Sequence, residues 1–577
     1  MQKQQPKNHL NITLGQINPT IGDMAGNIQL MLDVARKAQA DGADVVVFPE
    51  LSLTGYSPAD LLDDGLFDLR LTNAIHDLYQ ATHETPGLHW VVGLPFRRGN
   101  EGRPYYNALQ VLVDGKRLHT QFKQLLPTYG VFDERRHFEP GPDEAKVVRI
   151  HGVTVGFLIC EDGWNADGHD YPVNPFKRLA DAAPDLVISI NASPSHKGKR
   201  QARHEVFSKA CARYELPLLY VAQVGGQDQL VFDGASFAVS PAGRVVFEAP
   251  RFEEASPTLR FDVAERTFLD LDGAGLPVVP EEGLPVMEFY RQQIVLGIRD
   301  YARRCGFTKV LVGSSGGIDS ALTLVLAAEA VGAENVEAIT MPSEYSSGGS
   351  VSDSELLCRN LGVKLHHISI REIVDQFSNT MLASTVGERP RGLALENLQA
   401  RIRATLLMTY SNQYGHLLLT TGNKSELSVG FFTFGGDGLG GLCVPGDLFK
   451  TEVFELCEHI NRTAGWDIIP RSIIDKPPSA ELAPGQQDTD SLPPYPVLDP
   501  ILMLLIEGIL LELDEYNHAV TVFRELQATE EGTATIGKVQ RLIARSEYKR
   551  RQAPPIIRVR ARAFGTGRQV PITAKQY

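Results

Sequence analysis

The sequence predicts an α/β protein in two parts, a layered α/β sandwich followed by a doubly wound parallel sheet. Three observations carry this reading. Up to about residue 248 the chain holds many short apolar runs separated by turn residues, with few helical patterns among them. Beyond residue 285, strand-like and helix-like patterns alternate. Between the two rhythms lies a Pro-rich, acidic stretch, EAPRFEEASPTLRFDVAERTFLDLDGAGLPVVPEEGLP at 248–285. A first domain is therefore expected over 1–260, a linker over 261–285 and a second domain over 286–577.

In the first part ADVVVFPE, HWVVGLPF, NALQVLVDGK, VTVGFLIC, DLVISINAS, PLLYVAQ and SFAVSPAGRVV read as strands, and 27–41 and 199–214 as helices. In the second, KVLVG is a strand, SALTLVLAAEAVG a helix, VEAITMP a strand, SDSELLCRNLG a helix and KLHHISI a strand. A long helix at 396–414 and the strand HLLLTTGN follow. A helical region at 498–546 is expected to pack against that sheet. The tail 552–577, with Arg558, Arg560, Arg562 and Arg568, reads as solvated or docked on the surface, with a nucleotide clamp as the alternative.

Composition excludes several classes. Hydrophobic residues make up 43% and charged residues 22% of the 577, a globular balance that rules out a disordered or fibrous chain. Lys+Arg 56 against Asp+Glu 70 gives a net charge of −14, which opposes nucleic-acid or anionic-membrane binding and leaves room for a local basic pocket. The opening MQKQQPKNHLNITLGQ has no apolar core, so no secretory leader is expected and the cytoplasm is the expected compartment. The most apolar helical stretch, 501–506, stops at Glu507 and Gly508, far short of the roughly 20 residues of a membrane span. Cys160, Cys211, Cys305, Cys358, Cys443 and Cys457 are widely spaced, which fits reduced thiols better than a disulfide frame or a zinc site.

Cys160 ends VTVGFLIC and is followed at once by Glu161 and Asp162. A strand that stops at a polar tripeptide delivers its last side chain to the sheet's rim, where open α/β sheets bind ligands. Alone, such a cysteine also fits a small core residue. Glu50 ends ADVVVFPE, and Lys123 stands in HTQFKQLLP after a strand and turn; each alone also fits a surface charge. Together the three supply what amide hydrolysis through a thioester needs. A thiolate attacks the carboxamide carbon, a carboxylate moves the thiol proton to the leaving nitrogen, and an ammonium stabilises the oxyanion. A nearby ammonium is also expected to lower the thiol pKa.

With LPTYGVFDERRHF after Lys123 and ICEDGW around Cys160, the region from about 11 to 248 resembles the nitrilase superfamily. The resemblance implies an αββα sandwich, a Glu50–Lys123–Cys160 catalytic triad and Glu134 as a second carboxylate beside the lysine. It also implies that Tyr129, Ser193 in INASPSHKGK and Lys199 line a pocket for glutamine.

The segment KVLVGSSGGIDSALTLVLAA runs strand, glycine loop, helix, a cradle for phosphate in which main-chain N–H groups and a helix N-terminus face the anion. It lacks the Lys of GxxxxGK[ST] and the pattern GxGxxG. The string SGGIDS resembles the pyrophosphate loop of the N-type ATP pyrophosphatases, which leave AMP on an activated substrate. Asp319 within it suits Mg²⁺ beside a triphosphate, and capping of the following helix with Ser320 is a compatible second role. MPSEYSS, LENLQARIRATLLMTYSNQYG, TTGNKSELSVGFFTFGGDGLGG, DLFKT, KPPSAEL and EYKRRQAPP follow in order, and from about 284 to 571 the chain resembles an NAD⁺ synthetase. As a whole it is similar to the glutamine-dependent NAD⁺ synthetase family.

That resemblance implies that Gly313, Ser314, Ser315, Gly316, Gly317, Ile318, Asp319, Ser320 and Thr421 hold ATP. It implies that Asn397, Glu426, Phe431, Phe432, Thr433, Phe434 and Lys549 hold deamido-NAD⁺, that Asp319 and Glu426 share Mg²⁺, and that Lys450 meets a phosphate. A homo-oligomer acting on small molecules alone is implied as well. Two positions depart from the family pattern. Ser314 replaces a usual Leu and is expected to point away from the phosphates; Gly435 replaces a common aromatic and is expected to alter the stacking surface.

The two halves make chemical sense together. Ammonia from glutamine attacks a carboxylate activated by adenylylation, and passage through a protein interior keeps NH₃ unprotonated, so the resemblance implies a tunnel between Cys160 and the nucleotide site. The ENLQAR and TGNKSE segments oppose an amidotransferase for another acceptor. An amide hydrolase with a nucleotide-sensing module would not consume ATP, and two independent sets of residues at strand ends oppose a non-enzymatic binding protein.

Overall fold

Strands with apolar side chains on both faces must be covered twice, and the first part of the chain solves this with two stacked sheets and outer helices. The computed structural model describes residues 8–99 and 102–575. Residues 1–7, on which the reading of no leader partly rests, and the last two tail residues lie outside the described residues. The chain falls into two compact units, one of residues up to 225 with 231–283, the other of 226–230 with 284 onward.

In the first unit a seven-stranded sheet runs in the order Thr267–Leu269, Thr258–Asp262, His9–Leu14, Val45–Val47, His89–Arg97, Tyr105–Val113, Lys116–Phe122. A six-stranded sheet runs Val245–Glu248, Phe237–Val239, Leu218–Ala222, Leu186–Asn191, Val153–Ile159, Val147–Ile150. Alternate residues of the two sheets (Ile12, Val45, Val91 and Leu109 from one; Val155, Phe157, Ile188 and Val221 from the other) share one core. Leu158, Val187, Leu218 and Tyr220, on the other face of the second sheet, pack under Phe176 and Phe207 of the helices Pro175–Asp181 and Lys199–Tyr214. With Met24–Ala40 against the first sheet the unit is the expected αββα sandwich.

Residues 261–269, read as the start of a linker, instead complete the first sheet. Thr258–Asp262 pairs antiparallel with His9–Leu14, and Thr267–Leu269 pairs with it in turn. Leu259, Phe261 and Phe268 alternate into the core, a period-2 signal masked by the acidic residues around it.

The second unit is built on five parallel strands in the order Lys364–His367, Val336–Thr340, Lys309–Gly313, His416–Thr420, Leu442–Cys443. The order reverses between Lys309–Gly313 and His416–Thr420, and such a switch point opens a crevice at the carboxyl ends of the strands. The helix Ile318–Val331 is apolar almost all round and buried accordingly. Gly348–Leu361 and Leu393–Tyr414 are the other expected helices, and Arg371–Ala383 is one the sequence pattern had not separated. The region 498–546 forms Tyr495–Ile506, Leu513–Gln527 and Glu530–Arg545, joined by a core that includes Leu498, Ile501, Leu502 and Val539.

Over 554–564 the tail corrects its reading as solvated or surface-docked, while 565–575 is largely exposed. Arg560 is 1% exposed, with Nε on Glu507 (2.8 Å), Nη2 on Glu515 (3.0 Å) and Nη1 on Glu452 and the Tyr290 hydroxyl. Three carboxylates scattered through the preceding helices make a buried guanidinium tolerable, and none of them is near it in sequence. All six cysteines are free, and among the described residues no helix is long and apolar enough to cross a membrane.

Candidate active sites

In the first unit several strands end at one rim. Val45–Val47 runs through Phe48 and Pro49 into Glu50, Lys116–Phe122 into Lys123, Val153–Ile159 into Cys160 and Leu186–Asn191 into Ala192. Glu50 and Lys123 are buried, with Lys123 Nζ 2.6 Å from Glu50 Oε1 and 2.7 Å from Glu134 Oε1. Both Glu50 oxygens are held: Asn107 Nδ2 donates to Oε1 (2.7 Å) and Ala192 N to Oε2 (3.0 Å). Tyr56 donates to Glu134 Oε1 (2.8 Å). The turn Glu134–Arg136 is pinned from outside, since Arg136 Nε and His137 Nε2 lie 2.9 and 3.0 Å from Asp60. Gly93 permits this closeness, because a Cβ there would stand 2.4 Å from Leu51 N.

Cys160 opens the 3₁₀ turn Cys160–Gly163 at φ +46°, a left-handed conformation that costs a non-glycine residue about 1 kcal/mol or more. Asp162 ties that turn to the lysine segment, its Oδ1 accepting from Gln124 N (2.9 Å) and Leu125 N (2.8 Å). Burial pushes the Asp162 carboxyl up to about 7 despite those donors.

Lys123 pulls the Cys160 thiol down as expected, but other effects prevail. Burial pushes the Cys160 thiol well above its ordinary value, the Glu50 charge adds to that, and the opposing pull of Lys123 is outweighed. Burial raises Glu50 as well, against Lys123. Lys123 is held above its usual range because Glu134 and Glu50 together overcome its own burial.

Tyr129 is 54% exposed, and its hydroxyl donates to Glu161 (3.1 Å to Oε1), which also accepts from Tyr171 OH (2.8 Å). Lys199, the first residue of its helix, holds Nζ 3.7 Å from the centre of the Trp164 ring. Tyr129 and Lys199 thus both touch the stretch that begins at Cys160, and Ser193 is buried just beyond the strand Leu186–Asn191.

In the second unit Lys309–Gly313 delivers the glycine loop to the switch point. Gly316 has φ +74°, and a Cβ on it would stand 2.3 Å from Ser350 O, so both conformation and space require glycine. The helix Ile318–Val331 presents its first N–H groups at the same place, where an anion is favoured. Residues 313–320 and Thr421, Asn397, Glu426, Lys450 and Lys549 line one cavity of about 470 Å³.

Asp319 Oδ2 pairs with Lys450 Nζ at 2.5 Å, and Oδ1 accepts from Asn423 Nδ2 at 2.9 Å. Lys450 Nζ is also 3.4 Å from Glu426 Oε1. The sequence NKSE forms a capping box, with Glu426 N donating to Asn423 Oδ1 (3.0 Å) and Asn423 N to Glu426 Oε2 (3.2 Å), which aims Oε1 at Lys450. Burial, then the charge of Asp319, pushes the Glu426 carboxyl up to about 8. Two carboxylates that repel each other and share one ammonium form a hard, all-oxygen donor set, which fits Mg²⁺.

Residues 11–267 match the carbon-nitrogen hydrolase family, and residues 290–553 match the NAD synthase family. The glutamine-dependent NAD(+) synthetase of Synechocystis sp. is 42% identical over 569 residues, covering 97% of this chain and 98% of that one. That of Acinetobacter baylyi is 40% identical over 561 residues, covering 97% and 98%. The chain belongs to the glutamine-dependent NAD(+) synthetases. A solved member of this family, from Acinetobacter baumannii in complex with adenosine diphosphate, shares 37% identity, covers 98% of each chain and superimposes with a TM-score of 0.75.

Ser314 and Gly435, the two positions expected to depart from the family pattern, have different settings. Ser314 Oγ donates to Ser354 Oγ of the helix Gly348–Leu361 (2.9 Å), so the side chain is absorbed by a neighbouring helix. Gly435 sits at φ +69° in the turn that follows Thr433. Phe431, Phe432 and Thr433 line the cavity, and Lys549 Nζ holds their main chain through Gly430 O (2.8 Å) and Phe432 O (2.9 Å). Phe434 does not join them; it is 43% exposed, turned outward by the same bend, and stands outside the lining. Asn397 accepts from Thr433 Oγ1 (2.7 Å), which joins the long helix to this turn.

Sequence reasoning missed several family-site neighbours. Tyr56, Asn107 and Asp162 hold the triad and carry no local signal. Arg403 lines the cavity, its Nε donating to Met341 O (3.1 Å), and burial lowers its guanidinium to about 10. Helical spacing would have found it, because Asn397, Ala400, Arg403 and Ala404 share one face of the long helix. Asp488, held by Tyr495 OH (2.7 Å), lines the cavity close enough to raise Glu426.

Proposed function

We propose that this chain hydrolyses glutamine at Cys160 and uses the ammonia, with ATP, to convert deamido-NAD⁺ to NAD⁺. The observation that carries the reading is one chain holding two sites of complementary chemistry, a buried Glu–Lys–Cys cluster and a glycine-floored cavity with paired carboxylates. At the first, Cys160 Sγ bonds the carboxamide carbon while its proton passes through Glu50 to the departing nitrogen. Lys123 steadies the oxyanion, and water then releases glutamate from the thioester. Tyr129, Ser193 and Lys199 bind the glutamine.

At the second site residues 313–320 and Thr421 hold ATP, while Asn397, Glu426, Phe431, Phe432, Thr433 and Lys549 hold deamido-NAD⁺. The nicotinate carboxylate bonds the α-phosphorus, the α–β bridge breaks, and pyrophosphate leaves. Ammonia displaces AMP from the mixed anhydride to give the amide. Asp319 and Glu426 would hold Mg²⁺, which when bound supplies charge neutralisation of the phosphates. Lys450, freed from those carboxylates, meets a phosphate oxygen.

The test is a product assay in which glutamine, ATP, deamido-NAD⁺ and magnesium are supplied together and each omitted in turn. NAD⁺ formed with equal AMP and pyrophosphate supports the reading; absence of NAD⁺ with all four present overturns it. The same reading takes the protein to act in the cytoplasm, where free thiols are stable, and as a homo-oligomer, which light scattering of the purified chain checks.

A further inference from the structure

The segment KPPSAEL was conspicuous in the sequence and acquires no task from the chemistry above. In the structure it is fastened across the N-terminal turn of the helix Gly348–Leu361. At one end Lys476 Nζ donates to Ser350 Oγ (2.9 Å), pairs with Asp353 Oδ2 (3.1 Å) and lies 3.4 Å from Gly316 O of the glycine loop. At the other end Glu481 Oε1 accepts from Ser350 Oγ (2.6 Å) and Ser347 Oγ (3.1 Å). Pro477, Pro478 and Ser479, between the two fastenings, line the cavity.

The cations lining the cavity are Arg403, Lys450, Lys476 and Lys549, and the carboxylates outnumber them. A triphosphate entering such a cavity needs each positive charge in place. Lys549 is bonded to Gly430 O and Phe432 O, Arg403 to Met341 O, and Lys450 to Asp319 and Glu426. Lys476 is the one of these that the structure sets against a main-chain carbonyl of the glycine loop, Gly316 O at 3.4 Å. Its side chain is 28% exposed, while its anchor Asp353 is nearly buried and fixed on the other oxygen by Ser472 Oγ (2.6 Å). Of the three N–H donors of this ammonium, two are fixed on Ser350 Oγ and Asp353 Oδ2, and the third, at 3.4 Å from Gly316 O, can turn to a phosphate oxygen.

We propose that Lys476 is a catalytic residue that clamps the leaving group. Its ammonium turns from Gly316 O to a phosphoryl oxygen of the β–γ pyrophosphate seated in the loop, keeping its bonds to Ser350 and Asp353. As the nicotinate oxygen bonds the α-phosphorus and the α–β bridge breaks, the electron pair goes to pyrophosphate, and Lys476 balances that growing charge without transferring a proton. Asp353 and Ser350 are positioning residues for it. The assignment deepens the proposed function and rests on it.

The test uses the full-length enzyme, ammonia as nitrogen source, and Lys476→Gln and Lys476→Arg variants, with inhibition by magnesium pyrophosphate and by AMP measured for each. For Lys476→Gln, kcat/KM for ATP is expected to fall roughly 10- to 100-fold, the scale of one charge-assisted hydrogen bond. The inhibition constant for pyrophosphate should rise by a similar factor while that for AMP stays within about twofold. Lys476→Arg should recover part of both losses. Unchanged pyrophosphate inhibition in Lys476→Gln overturns the proposal, and so does parallel weakening of AMP, which would mark a merely structural strap. Failure of the wild-type enzyme to split ATP into AMP and pyrophosphate would instead remove the proposed function itself, so the two failures are distinguishable.

Discussion

The two sites use the same elements, carboxylates around a lysine ammonium, and differ in what encloses them. Glu50, Lys123 and Glu134 are sealed from solvent, with Asn107 and Ala192 donating to Glu50 and Tyr56 to Glu134. Asp319, Lys450 and Glu426 stand on the wall of a 470 Å³ cavity, and both carboxylates keep some exposure. The first arrangement is finished before any substrate arrives, as suits chemistry on a small carboxamide. The second is open to the cavity, with Lys450 neutralising two carboxylates; on the proposed reading a cation would take its place there and Lys450 would meet phosphate. A sealed cluster should tolerate no replacement; a provisional one should fail only in the reaction that reorganises it.

The largest expected effect tests that separation directly. Cys160→Ala should reduce glutamine hydrolysis and glutamine-supported NAD⁺ synthesis by roughly 10⁴-fold or more, because no other group can form the thioester. Synthesis from added ammonium chloride should stay within about twofold of wild type. Measuring NAD⁺ formation with each nitrogen source decides; equal loss from both, in a protein with unchanged circular dichroism, would mean that the sites are not separable.

Asp319→Asn is the complementary change and should be milder. It removes one charge from the cation-holding pair and leaves a side chain of the same shape, so ATP-dependent synthesis should fall roughly 10²- to 10³-fold. Glutamine hydrolysis, assayed as glutamate release, should persist. If both fall together, the second site governs the first much more tightly than the difference in enclosure implies.

The legibility of the two sites in the sequence follows the same contrast. Glu50 and Cys160 were readable because each ends an apolar run, and a strand end is a local pattern with a known destination; Lys123 was read from its place after a strand and turn, next to LPTYGVFDE. Asp162 and Asn107 were not, because their importance lies in main chain and side chains that approach only after folding. In the second unit the glycine loop and the NKSE capping box were written locally, whereas the burial of Arg560 depends on Glu452, Glu507 and Glu515, far off in sequence. A basic tail with no neighbouring acids reads as solvated for that reason. The strands at 258–269 were hidden by composition, since an acidic surface face and a Phe-bearing core face average to a linker.

A buried network outside both sites gives a pH test of intermediate size. Glu507 lies 2.6 Å from Lys424 Nζ and 2.8 Å from Arg560 Nε. Burial pushes its carboxyl up, but Lys424 and Arg560 prevail and hold it below the usual carboxylate range. A depressed folded pKa means that the stabilisation is complete above the unfolded value of about 4.3 and is lost as pH falls through the folded value. Glu507→Gln lacks it at every pH and leaves two cations short of a partner, so it should lower stability by about 3 kcal/mol at pH 7. Thermal unfolding followed from pH 7 to pH 3 should show the gap in Tm between variant and wild type closing in acid; a gap constant across that range would refute the assignment.

The smallest expected effect concerns the turn beside the dinucleotide. Gly435 has φ +69°, and nothing lies within 4 Å of where a Cβ would stand, so a side chain there meets strain and no collision. Gly435→Ala should therefore destabilise the protein by about 1 kcal/mol, from the left-handed conformation alone. The cavity-facing residues Phe431, Phe432 and Thr433 are held by Lys549 and Asn397 independently of Gly435, so KM for deamido-NAD⁺ should change less than about threefold. Steady-state kinetics with a parallel Tm measurement separates the two quantities. A large rise in KM at unchanged Tm would show that the bend at Gly435, and not the lysine anchor, sets the wall against which the dinucleotide rests.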